Sequence, residues 1–135
     1  MNSFIPWIGG KKLLRKHILS QFPNEKYERY IEVFGGAGWI LFSQDRHAPF
    51  EVFNDVNGEL INLYRVVKYH SEPLQKELEW LFVSREQFYD ELYQNLSGMT
   101  DIQRAARFFC LIKESFGADC KSFSMKSRDI HKAVD

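Results

Sequence analysis

The segment YIEVFGGAGWILF, residues 30–42, is an apolar run broken at its centre by a glycine cluster. Three of the four residues in GGAG carry no side chain. Before the cluster, YIEVF is rich in β-branched and aromatic residues and reads as a strand. After it, WILFSQD reads as a short helix, Pro49 breaks the pattern, and FEVFND reads as a second strand. Strand, glycine turn, helix and strand make a βαβ unit, whose two strands run parallel with a right-handed crossover.

On the amino-terminal side, KKLLRKHILSQF reads as a short amphipathic helix, with Leu14 and Ile18 one turn apart. On the carboxyl side, Asn57 is placed to cap GELINLYRVVKYH, where Leu60, Tyr64 and Val67 form a stripe. The rest reads as helical. SEPLQKELEWLF opens on a capping Ser71 with Pro73 in its first turn. SREQ at Ser84 and TDIQ at Thr100 both fit the capping box. The helix after Thr100 sets Ile102, Ala105, Ala106, Phe109, Ile112 and Phe116 on one face, and the stretch from Gly117 loses periodicity. The composition shifts near Ser71. The expected organisation is an α/β portion over residues 1–70 and a helical lobe over residues 71–135.

The 135 residues suffice for one domain with a core. Eighteen basic residues balance eighteen acidic ones, so a nucleic-acid partner has to be sought in local patches. Cys110 and Cys120 lack metal-site spacing and the four histidines are scattered, which predicts reduced thiols and no metal. No apolar run approaches the ~18–20 residues that span a bilayer. With no signal-peptide order at the start, a cytoplasmic location is expected.

The strongest chemical constellation is Phe34-Gly35-Gly36-Ala37-Gly38 with Asp55. A glycine turn at the carboxyl end of a strand lets backbone amides approach a ligand, at the place where open α/β sheets bind one. A carboxylate ending the next strand, about 20 residues on, is placed for ribose hydroxyls. The dinucleotide fingerprint would need a glycine where Leu41 stands, whereas F-x-G-x-G suits S-adenosylmethionine. A plain turn with a solvent-facing aspartate is the competing reading. In PWIGGKK, Trp7 and Lys11 could give an aromatic wall and a cation, or simply a core indole and a surface amine. Basic clusters near the start and around Lys121, Lys126 and Arg128 are candidates for phosphate contact or ordinary solvated faces. Trp39, Trp80 and the phenylalanines read as core.

In order and spacing, PWIGGKK, YIEVFGGAG and FNDVNGELINLYRVVK together resemble the amino-terminal part of the Dam-like DNA adenine methyltransferases. AARFFCLIKESFGADCKSF resembles, more loosely, the helical stretch that leads into that family's target-recognition region. The resemblance implies a Rossmann-like fold for S-adenosylmethionine, here partial, with few parallel strands and an all-helical second half. It implies that Trp7 and Lys11 line the methyl-donor pocket. It further implies that Phe34, Gly36 and Gly38 pack on the donor's methionine part and that Asp55 binds its ribose. The partner would be double-stranded DNA.

One departure stands out. The family's catalytic tetrapeptide is Asp-Pro-Pro-Tyr or a near variant, whose acceptors and aromatic would hold an extruded adenine. The prolines here are Pro6, Pro23, Pro49 and Pro73, and no two are adjacent. The expectation is therefore a truncated or split amino-terminal piece with no catalytic residue of its own, active only if a second chain supplies the rest. The alternatives are a non-catalytic module that regulates a full-length methyltransferase or binds DNA, a methyltransferase acting on RNA or protein, and a nicotinamide enzyme, which Leu41 disfavours.

Overall fold

The computed structural model describes residues 2–124. The chain divides by packing into two compact units, residues 1–56 and 57–135. This division does not coincide with the compositional shift near Ser71: the helix that begins at Gly58 packs with the helices that follow it.

In the first unit, β1 (Arg29–Glu32) and β2 (Phe50–Phe53) pair in parallel, with Arg29 opposite Phe50 and Glu32 opposite Phe53. The Asn54 amide donates to the Glu32 carbonyl at 2.8 Å, and the Gly35 amide to the Asn54 carbonyl at 2.8 Å. The ladder thus runs on into the glycine cluster. β1 alternates exposed and buried residues, as a strand with one covered face must. Its inward Tyr30 packs with Ile40 and Ala48, and Ile18, Leu19, Phe22, Tyr27 and Leu41 close around them. Tyr30 also stacks on His47, ring centroids 4.3 Å apart. The other face leaves Ile31, Val33 and Phe50 exposed.

Two sequence expectations are corrected here. The crossover between the strands holds only a 3-10 turn, Leu41–Ser43, instead of a helix over WILFSQD. The chain has to reach His47, whose ring bonds the Ile40 carbonyl at 2.8 Å and whose amide donates to Glu51 at 2.6 Å. That closure leaves no length for a further helical turn. α1 is confined to Arg15–Ser20, so Leu14 lies outside it and is 60% exposed.

The second unit is helical. α2 (Gly58–Tyr69) is capped by Asn57, whose side-chain oxygen accepts from the Glu59 and Leu60 amides at 3.1 Å each. Its fully covered stripe is Leu60, Leu63 and Val66, while Tyr64 and Val67 flank it half-buried. α3 (Ser71–Glu79) begins one residue earlier than a capping Ser71 would allow, with no side-chain cap from His70. α4 (Arg85–Tyr93) is capped by Ser84, and α5 (Asp101–Glu114) by a complete Thr100–Gln103 capping box.

α5 is the centre of this unit, with every residue from Ala105 to Ile112 buried. The buried Arg107 donates to the Leu92 carbonyl at 3.2 Å and to that of Glu91, satisfying carbonyls at the end of α4. The Asn62 amide group donates to the Asp101 carbonyl at 2.8 Å, tying α2 to the start of α5. Phe116 falls past the end of α5 and is exposed, and Trp80 is exposed as well, so neither is a core residue.

Candidate functional site

The glycine loop stands at the carboxyl end of β1, and three parts of the first unit hold it. The end of β2 holds it from one side. The Gly36 amide donates to Asp55 Oδ2 at 2.9 Å, and the Asn54 side chain donates to the Val33 carbonyl at 3.0 Å. A turn closes the loop itself, from the Gly38 amide to the Gly35 carbonyl at 3.0 Å. The amino-terminal strap holds it from the other side. Lys11 Nζ donates to the Phe34 carbonyl at 2.5 Å and lies 3.8 Å from Glu32 Oε1.

The glycines are required for distinct reasons. Gly36 and Gly38 have φ of 52° and 68°, a region that side chains strain to adopt. A Cβ on Gly36 would also stand 3.1 Å from the Trp7 ring, so the indole lies directly against the loop backbone. A Cβ on Gly35 would reach within 2.2 Å of the Phe53 ring. Phe53 thus uses the space that a side chain at Gly35 would fill.

Trp7, Lys11, Gly36, Gly38 and Asp55 are therefore gathered around one loop. Phe34 contributes its carbonyl, while its side chain is 78% exposed. Lys121 is exposed in the second unit, its amide bonded to Asp119. Lys126 and Arg128 lie outside the described residues.

Glu32 belongs to this site and escaped the sequence reading. It is 8% exposed, and its Oε2 accepts from the Tyr30 hydroxyl at 2.7 Å and from the Leu41 amide at 3.2 Å. Its Oε1 is buried without a hydrogen bond. Burial, reinforced by the Glu32 hydrogen bond, pushes the Tyr30 phenol well above its ordinary range. The signal was available: an acidic residue at an inward position of an otherwise apolar strand calls for a partner.

Asp55, just past the end of β2, and Lys11 stand on the two sides of a turn whose residues Gly35 to Gly38 are themselves buried. The Trp7 indole against Gly36 and the exposed Phe34 side chain border that turn. Among the described residues there is no group of three or more metal-ligating side chains, and no helix is long and apolar enough to cross a membrane.

The model of the D12 class N6 adenine-specific DNA methyltransferases matches residues 7–120. Among curated proteins, the type II methyltransferase M1.LlaDCHI of Lactococcus lactis subsp. cremoris is 34% identical over 126 residues, covering 86% of this chain and 42% of that protein. The type II methyltransferase M.MjaIII of Methanocaldococcus jannaschii is 31% identical over 131 residues, covering 84% of this chain and 45% of its own length. The DNA adenine methylase of Serratia marcescens is 28% identical over 123 residues, covering 88% and 44%. The chain thus spans less than half the length of the curated relatives it matches.

Proposed function

The chain belongs to the D12 class N6 adenine-specific DNA methyltransferases, and on that premise we propose that it forms the methyl-donor side of such an enzyme. The reaction would move a methyl group from the sulfonium of S-adenosylmethionine to the 6-amino group of adenine in double-stranded DNA, with loss of one amine proton. The observation that supports this reading is the convergence of Trp7, Lys11 and Asp55 on the Gly35–Gly38 turn. Gly36 and Gly38 shape the turn on which the donor's methionine part would pack, Trp7 would wall it, and Asp55 is placed for its ribose. Phe34, exposed at the strand end, is free to fold over the methionine part. We read the first unit as one part of a Rossmann-like fold, and the helical lobe, with Lys121, Lys126 and Arg128, as the approach to DNA. Acting on DNA, the protein would work in the cytoplasm.

No two prolines adjoin in the chain, so the family's Asp-Pro-Pro-Tyr acceptor is not within it. The chain by itself would bind donor and leave DNA unmethylated, unless a second chain brings that tetrapeptide. Calorimetry with S-adenosylmethionine and with NAD, beside transfer of labelled methyl to adenine-containing DNA, tests both parts. Binding of NAD but not of S-adenosylmethionine would overturn the donor assignment. Methyl transfer by the purified chain alone would overturn the claim that it is inactive.

The exposed face of the two-stranded sheet supports a second reading. Ile31, Val33 and Phe50 are open to solvent there, although parallel strands are ordinarily covered on both faces. A non-catalytic partner that pairs with a full-length methyltransferase would use such a surface. A clean monomer in light scattering at high concentration, alone and mixed with that enzyme, would count against it.

A further inference from the structure

Glu32 poses a problem that the donor site by itself does not explain. A carboxylate 92% removed from solvent, by its 8% exposure, keeps one oxygen without a hydrogen-bond donor. Such an oxygen is costly unless a cation offsets it. The one cation within 4 Å among the described residues is Lys11, whose ammonium lies 3.8 Å from it. That ammonium is itself seated on the Phe34 carbonyl, at the edge of the glycine loop. Lys11 is a long, flexible side chain on a turn, and its own chain segment supplies nothing that would fix its head there.

We infer that Glu32 is the positioning residue for Lys11. Its buried carboxylate draws the ammonium in from the amino-terminal strap, holds it at the carboxyl end of β1, and cancels its charge. The geometry has a direct consequence for specificity. A free lysine beside a glycine turn would favour phosphates. A lysine already neutralised by Glu32 favours a ligand that is zwitterionic or cationic in this region. The methyl donor, with its amino-acid group and sulfonium, has that character, and a pyrophosphate does not. This consequence rests on the donor reading above, while the positioning of Lys11 does not.

The test is amine labelling of the full chain with a small acylating reagent, read by mass spectrometry, with the exposed Lys12 as internal reference. The wild-type chain should label Lys11 about fivefold more slowly than Lys12, the scale of one well-made ion pair. Glu32→Gln, which keeps a side-chain oxygen for the Tyr30 hydroxyl and Leu41 amide, should bring the two rates together. Equal rates in the wild-type chain, or a Lys11 rate that Glu32→Gln leaves unchanged, overturn the inference. If Glu32→Gln fails to fold, Glu32→Asp replaces it: drawing the charge back by one methylene should speed Lys11 labelling, and an unchanged rate is again fatal. Calorimetry on the same samples separates the two claims. Slow Lys11 labelling that Glu32→Gln relieves, in a chain that binds no S-adenosylmethionine, would sustain the positioning role and sink the donor assignment.

Discussion

Asp55 tests the site most directly, because its carboxylate is bonded to the glycine loop itself. The hydrogen bond to the Gly36 amide is charge-assisted. Asp55→Ala should weaken S-adenosylmethionine binding by about 1–3 kcal/mol, measured by calorimetry. Thermal denaturation of the same variant should move little. Asp55→Asn keeps an acceptor for Gly36 and should leave the loop in place while losing the charge. Unfolding of Asp55→Ala would make the residue a structural tie. At this scale the sequence was informative where spacing mattered: Gly36 and Asp55 were legible as a pair. Glu32 was not, because a strand read by its β-branched and aromatic residues hides one acid. Trp80 reads as core from its large apolar ring, whereas it closes the end of α3 facing solvent.

Helix ends were the most legible elements, because capping is local chemistry. Asn57, Ser84 and Thr100 all accept the bonds that their positions promised. The box at Thr100 satisfies two donors reciprocally, the Gln103 amide and the Thr100 amide. Thr100→Ala should therefore cost about 1 kcal/mol, read as a lowered midpoint in chemical denaturation. Both strands and their parallel sense were legible from the βαβ pattern. The crossover was not. WILFSQD has the composition of a helix, but the pull of His47 toward Ile40 and Glu51 is a tertiary constraint that periodicity cannot carry. Ser71 failed as a cap for a similar reason, since α2 and α3 follow each other through His70 alone and leave no extended residue for a cap.

At the scale of the whole molecule, each of the two units carries its own vulnerability. The helical unit buries Glu114, at 6% exposure, and burial with Glu91 nearby pushes its carboxyl up to about 7. In the unfolded chain the same group titrates near its ordinary 4.5. Between those values the folded state holds a proton that the unfolded state has released, so stability falls as pH rises through that window. The chain should thus be more stable near about pH 5 than near about pH 8 through this group, by about 1–3 kcal/mol. Glu114→Gln should flatten the dependence and raise the melting temperature at neutral pH. A Glu114→Gln variant with an unaltered pH profile would show that the carboxyl finds solvent. None of this was legible in the sequence, where Glu114 is one more acid at a helix end.

The first unit has a different dependence. Its glycine loop owns few of the bonds that shape it: the Gly35 amide is satisfied by Asn54 and the Gly36 amide by Asp55, both just past the end of β2. The Asn54 amide in turn closes on Glu32, at the end of β1. These three amide protons are shielded by one and the same pairing event. In deuterated solvent they should exchange at a common rate, set by the separation of the two strands and not by motion of the loop. Asp55→Ala should release Gly36 from that group and leave Gly35 and Asn54 protected. The glycine turn would then be as durable as the short parallel ladder that holds it, four residues on each strand.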